Sequence, residues 1–257
     1  MPPVAIVQAR MGSSRLPGKV LELVAGRPML WHIVDRLRHT TALTNVVVAT
    51  SDAANDAPVR ALCDEINVAC VAGSELDVLD RFVQAAEAHG ADPVLRITAD
   101  CPFVDPDIVG RVLALFQSGD YDYAAAATGG VAFYDTRPKF PDGLDVECFS
   151  FSALATASRD TRVRSDREHV TPYLYRTKKF HVELLPCDID RGQLRWTVDH
   201  PADLELVRQV YDALYRPGNP FGMHDILALI DRRPELARLN QAFVGHEGYA
   251  KVWNPDA

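Results

Sequence analysis

The chain has 257 residues, 47% of them hydrophobic and 24% charged, which is the make-up of a folded globular protein and not of a disordered one. A formal net charge of -8 excludes a general nucleic-acid binder, because such a protein needs a basic face to displace counterions, so an anionic ligand has to be met by a local cation cluster. No run approaches the roughly 20 apolar residues of a membrane span, no basic N-terminal region leads into an apolar core, and Cys63, Cys70, Cys101, Cys148 and Cys187 form no C-x-x-C pair, so a cytoplasmic chain with reduced thiols is expected.

In chain order, the apolar run Val4–Val7 reads as a buried strand that opens into Arg10-Met11-Gly12-Ser13-Ser14-Arg15-Leu16-Pro17-Gly18-Lys19. Glycine and serine let backbone N–H groups approach phosphate oxygens closely, and Arg10, Arg15 and Lys19 supply charge, so this loop reads as a triphosphate cradle. It is not a Walker A loop: five residues separate Gly12 from Gly18-Lys19, one too many, and Val20 stands where the metal-binding hydroxyl belongs. The dinucleotide pattern G-x-G-x-x-G is absent as well.

Met29, Leu30, Ile33, Val34 and Leu37 recur at helical spacing, Asn45–Thr50 and Val68–Val71 read as strands, and Pro93–Thr98 reads as another strand that delivers Asp100. Asp105-Pro106 starts a helix carrying Ile108, Val109, Val112, Leu113 and Phe116. Strand–helix alternation of this kind predicts an α/β fold with a mainly parallel central sheet flanked by helices. Across residues 128–190 the pattern breaks at Gly129-Gly130, Pro138, Pro141 and Gly143, and arginines crowd 159–167, so an inserted arm is expected there. Arg195–Val198 then reads as a strand delivering Asp199, His200-Pro201 starts a further helix, and 234–257 forms a cap on a single domain.

Asp100 and Asp199 are thus expected at the carboxyl edge of one sheet, where α/β enzymes bind ligands. Two hard carboxylates there suit Mg²⁺, although an aspartate before a helix is as often only a cap, the role expected of Asp105 and Asp107. No metal-ligand histidine spacing and no Ser-His-Asp arrangement is present, and Cys101 reads as a small filler after Asp100.

The run Gln8–Leu21 resembles the opening signature of the spore-coat polysaccharide cytidylyltransferases, a branch of the acylneuraminate and ketodeoxyoctulosonate cytidylyltransferase superfamily. Val47–Ser51, Arg96–Pro102, Asp166–Pro172 and Arg195–Leu204 agree in order and spacing, so the likeness runs from about residue 3 to about residue 240. The resemblance implies a nucleotide-diphospho-sugar transferase fold, a GT-A-like Rossmann-type arrangement, and transfer of CMP from CTP to a small acidic acceptor with release of pyrophosphate. It implies that Ala9 with Thr50 and Ser51 reads the cytosine, and that Arg10, Gly12, Ser13, Ser14, Arg15 and Lys19 hold the triphosphate. It places Mg²⁺ on Asp100 and Asp199, with Arg15 and Lys19 stabilising the departing pyrophosphate, and it implies a homodimer. The acceptor pocket falls in the middle region, where Asp142, Asp145, Glu147, Arg164, Arg167, Glu168 and His169 are its candidates, Arg167 offering a fork to an acid and His169 a hydrogen bond to the attacking group. One departure is Ala99, at a position that is usually glycine.

The expected acceptor is a 2-keto sugar acid of the nonulosonic or octulosonic type; a small phosphonate is the alternative, and an arginine-rich middle segment suits either acid. A non-catalytic nucleotide-binding module is the reading from another class, and the intact Asp100, Asp199, Arg15 and Lys19 argue against it. A glycosyltransferase would commonly carry Asp-x-Asp where Asp100-Cys101-Pro102 stands.

Overall fold

In the computed structural model, which describes residues 1–243, the first half of the chain builds its sheet as expected. Strand β1 (Val4–Gln8) sends Ala5 and Val7 to one face and Val4 and Ile6 to the other, all four wholly or almost wholly buried. A two-strand ribbon, β2 (Leu23–Val24) and β3 (Arg27–Pro28), leads into helix α1 (Met29–Arg38). Then come β4 (Asn45–Ser51), α2 (Ala57–Glu65), β5 (Ala69–Gly73), α3 (Val78–His89) and β6 (Val94–Thr98). Helix α4 (Pro106–Gln117) starts where Asp105-Pro106 announced it, the Asp105 carboxylate accepting the Asp107 N–H at 2.9 Å.

The second half holds β7 (Tyr123–Ala126), β8 (Val146–Phe149), α5 (Phe151–Asp160), α6 (Arg164–His169), α7 (Pro172–Arg176), β9 (Val182–Leu184), α8 (Pro201–Leu214), α9 (Met223–Arg232) and α10 (Glu235–Arg238). The seven strands of the main sheet lie in the order β5-β4-β1-β6-β8-β7-β9. All neighbouring pairs are parallel except those made by β8, which runs against both β6 and β7. Buried residues of α1, α2, α4, α8 and α9 pack on one face and those of α3, α5 and α7 on the other, so the sheet is covered on both sides.

Two expectations change. The stretch at 128–190, expected as an arm over the sheet edge, contributes β8 to the interior of the sheet, β9 to its edge and three helices to one face. Strands of four and three residues beside short helices carry too little periodicity to stand out in sequence. Arg195–Val198 is not a strand. Its backbone makes single bonds to two loops, Trp196 N–H to the Asp142 carbonyl at 2.6 Å and Val198 N–H to the Asp100 carbonyl at 2.8 Å, instead of joining a ladder. Residues 244–257 of the expected cap lie outside the described residues; within them, α10 packs on α8 and α9 through the buried Leu236.

Candidate active site

The loop after β1 is shaped by its own backbone. The Met11 carbonyl accepts the N–H groups of Ser13 and Gly18, both at 3.0 Å, which closes the loop on itself. Gly18 has φ 74° and leaves only 3.3 Å between a would-be Cβ and Met11 Cε, so a side chain is disfavoured there twice over. The turn Lys19–Leu21 that follows carries Lys19 inward, to 7% exposure, while Gly12, Ser14 and Arg15 stay exposed. Ser13 turns its hydroxyl back to the Leu16 N–H at 3.3 Å.

Lys19 unites the two aspartates. Its Nζ donates to Asp100 Oδ2 at 2.9 Å, to Asp199 Oδ1 at 2.9 Å and to the Val198 carbonyl at 2.6 Å, and Arg15 reaches the same Asp199 Oδ1 at 2.7 Å. Burial pulls the Lys19 pKa down, but Asp100 and Asp199 outweigh it and hold the group above the usual lysine value. Asp199 moves the opposite way: burial raises it, and the Lys19 and Arg15 charges more than compensate, leaving a carboxylate well below the ordinary range. Asp100 is lowered by the same lysine against the same burial. Both acids are therefore ionised at neutral pH.

Arg195, 4% exposed, orders the Asp199 side. Its guanidinium meets Asp199 Oδ2 at 2.9 Å, Asp203 Oδ1 at 3.0 Å and Asp142 Oδ2 at 3.5 Å, while Asp203 also accepts the N–H groups of Asp199 and His200 at 2.9 and 2.8 Å. Asp203 thereby caps α8 and fixes the backbone that carries Asp199.

Asp56 was not singled out by sequence. Almost wholly buried, it accepts the Met11 N–H at 2.6 Å and both the N–H and the hydroxyl of Ser51, so it ties the phosphate loop to the end of β4. That leaves Ser51, an expected base reader, with its hydroxyl committed. Thr50 is fully buried, its hydroxyl having no hydrogen-bond partner, and the Ala9 methyl lies in the core, so contact by these two with a base would run through backbone. Ala99 is likewise buried in the core, so its methyl fills space beneath the sheet edge.

Arg81 is the second omission. It sits in the first turn of α3, 0% exposed, with all three guanidinium nitrogens lacking a hydrogen-bond partner among the described residues. Burial first, and then the Arg10 charge, lower its pKa, opposed by Asp56, Glu75 and Asp52, which places it behind the loop and the ends of β4 and β5. Gly73 makes the room: a Cβ there would stand 3.1 Å from Arg81 Cγ. A lone arginine in a helix start carries no spacing signal, whereas Arg195 and Asp199, four residues apart, could have been paired.

The acceptor candidates divide. Asp145 accepts the N–H groups of Thr128 at 2.9 Å and Gly143 at 3.0 Å, one on each oxygen, which makes it the anchor of a turn. Glu147 takes the Tyr123 and Thr171 hydroxyls, both at 2.6 Å, and pairs with Arg96, whose other arm reaches Gln8 at 3.2 Å. Arg167, expected to fork onto an acid, already does so within the chain: it meets Asp77 at 2.5 Å and the Ser158 carbonyl at 2.9 Å. Asp142 stands between Arg195 and Asp145, its pKa pushed up to about 8 by burial and by the Asp145 charge against the pull of Arg195. Arg164 is exposed and Glu168 half-buried. His169 is held neutral, its pKa lowered by burial, by Arg96 and, more weakly, by Arg10, so it lies within electrostatic reach of the phosphate loop. Cys101 is kept as a buried thiol, its pKa raised well above normal by burial and by Asp100.

Among the described residues no group of three or more His, Cys, Asp or Glu side chains is placed to hold a metal ion by itself. Asp100 and Asp199 nevertheless fit one: the Lys19 ammonium between them is a stand-in cation at 2.9 Å from each, and a magnesium ion ordinarily takes one or two carboxylates and completes its shell with water and phosphate. No helix among the described residues is long and apolar enough to cross a membrane.

Comparison with known proteins follows the same line. A cytidylyltransferase family model matches residues 4–211. The spore coat polysaccharide biosynthesis protein SpsF of Bacillus subtilis is 33% identical over 92% of this chain and 97% of its own. An 8-amino-3,8-dideoxy-manno-octulosonate cytidylyltransferase of Shewanella baltica is 27% identical over 68% of this chain and 74% of its own. A solved cytidylyltransferase of Leptospira borgpetersenii superposes with a TM-score of 0.84 at 28% identity, over 92% of this chain and 97% of that one.

Proposed function

The chain belongs to the cytidylyltransferase family, and from that premise we propose that it transfers CMP from CTP to the hydroxyl of a 2-keto sugar acid, releasing pyrophosphate. The observation that carries this reading is the junction of Lys19 with Asp100 and Asp199 directly beside the phosphate loop. A sugar acid is favoured as acceptor because the Shewanella relative is named for an octulosonate.

In the proposed reaction the acceptor oxygen forms a bond to the α-phosphorus and gives up its hydroxyl proton to solvent, while the bond from that phosphorus to the β-phosphate oxygen breaks and its electron pair leaves with pyrophosphate. Arg10, Arg15 and Lys19 bind the triphosphate, and the last two meet the charge that grows on the departing group. Asp100 and Asp199 would hold Mg²⁺, which when bound neutralises phosphate charge. Arg195 and Asp203 keep the Asp199 carboxylate and its backbone in one orientation. Arg81 supplies forked donors to the nucleobase, whose carbonyl oxygen and ring nitrogen are acceptors, and His169, neutral, orients the acceptor with Arg164 and Glu168. No protein nucleophile is needed. A homodimer belongs to the same reading, and sedimentation would test it.

The experiment is to incubate the protein with CTP, Mg²⁺ and a panel of 2-keto sugar acids and small phosphonates while following pyrophosphate. Release with a sugar acid, lost at least 100-fold in Asp100→Ala, is expected. Release with a phosphonate alone moves the acceptor class, and CTP binding without turnover on any acceptor points to a non-catalytic module.

A further inference from the structure

Lys19 occupies the place that a divalent cation would need. Each of its three ammonium protons has an acceptor, Asp100 Oδ2, Asp199 Oδ1 and the Val198 carbonyl, and the residue is 7% exposed. Asp199 Oδ1 is doubly engaged, since Arg15 lies 2.7 Å from it. Two carboxylates therefore face two cations of the loop, while the remaining partner, Arg195, is matched by the buried Asp203. A free divalent ion meets a site whose charge is already balanced and whose oxygens already have donors.

A triphosphate changes that balance. It brings acceptor oxygens to a loop whose cations are Arg10, Arg15 and Lys19, and Lys19 sits on a flexible four-carbon stem at the loop's end. Drawing Lys19 and Arg15 toward phosphate uncovers Asp100 and Asp199 together. We infer that Lys19 holds the divalent-cation position in the nucleotide-free protein and yields it when the triphosphate arrives, so that metal binding is licensed by nucleotide. The inference rests on the CTP reading only for its nucleotide arm; the guarding of the carboxylates by Lys19 stands apart from which nucleotide is used. By linkage, the factor by which nucleotide raises metal affinity equals the factor by which metal raises nucleotide affinity.

The test is a Mn²⁺ titration of the full chain without nucleotide, followed through the electron paramagnetic resonance of the free ion. Wild type is expected to bind weakly and Lys19→Met at least tenfold more tightly, with the gain lost in the Lys19→Met, Asp199→Asn double variant. Each variant is checked by thermal melting, and Mn²⁺ is expected to raise the Lys19→Met melting temperature more than that of wild type. Should Lys19→Met fail to fold, Lys19→Gln, which is uncharged but keeps a hydrogen-bond donor, takes its place with the same expectation. Equal Mn²⁺ affinity in wild type and variant overturns the inference, as does a gain that survives loss of Asp199. Calorimetry of CTP with Mg²⁺ on wild type separates the two ideas: absence of CTP binding sinks the functional reading, while a Mn²⁺ gain in Lys19→Met upholds the guarding role regardless.

Discussion

At the scale of single residues, the phosphate loop is held by a group from the turn between β4 and α2. Asp56 gives the Met11 N–H its acceptor, and removing it leaves buried donors unpaired at a cost of about 1–3 kcal/mol. Asp56→Ala is accordingly expected to lower stability by that amount in denaturant titrations and to raise the KM for CTP about tenfold, kcat changing less, because the loop loses position and not chemistry. Asp142 permits a sharper test. An acid whose folded pKa lies above its unfolded one keeps its proton in the native state after the unfolded chain has released it, so native stability falls as pH rises from the ordinary aspartate range to about 8. Asp142→Asn removes this dependence, and its melting temperature relative to wild type should climb between pH 5 and pH 8; a constant offset would mean that Asp142 is charged throughout. The loop cations and Asp100 were legible in sequence because each follows a strand, whereas Asp199 was picked out as following a strand at Arg195–Val198 that the structure does not form. Asp56 and Arg81 were not: their roles arise from contacts between segments that are distant in the chain, and no spacing encodes those, whereas Arg195 was passed over although Asp199 stands only four residues on.

At the scale of elements, periodicity located β1, β4, β6, α1, α4 and α8, because each is long enough to show alternation or a helical stripe, and two of the helices begin with proline. β5 came out displaced by one residue at its start, and β7, β8 and β9 were missed, being too short to alternate visibly. The Arg195–Val198 segment has the apolar content of a strand, yet its N–H groups go to loop carbonyls, a choice only the tertiary structure makes. That segment rests on Gly143, whose φ of 105° and close approach leave a would-be Cβ 2.5 Å from the Thr197 nitrogen and from the Trp196 carbonyl carbon. Gly143→Ala is expected to destabilise the chain by roughly 3 kcal/mol or more, since neither backbone has freedom to retreat and the residue is in a strained region. It should also weaken catalysis in the surviving folded fraction, because Asp199 lies just beyond Trp196. A melting curve and a pyrophosphate assay on the same sample measure both.

At the scale of the whole molecule, one sheet with two buried faces carries the loop, Asp100 and Asp56 along its edge, so ligand binding loads a rigid frame. CTP with Mg²⁺ at a hundredfold excess over its Kd should add about 2.7 kcal/mol to the unfolding free energy. For a chain of this size that corresponds to a rise in melting temperature of roughly 5–10 °C. An equal rise with UTP would remove Arg81 from base recognition. The crossing of Gly143 beneath Trp196, beside the Asp142–Arg195 contact, bears also on how such a protein diversifies. A segment grafted from a relative across positions 128–190 would have to bring its own acid for Arg195, its own carbonyl for the Trp196 N–H and its own glycine. If the acceptor pocket lies in that segment, as proposed, acceptor preference and the seating of Asp199 are inherited together, and exchange of the middle segment alone is expected to misplace the carboxylate.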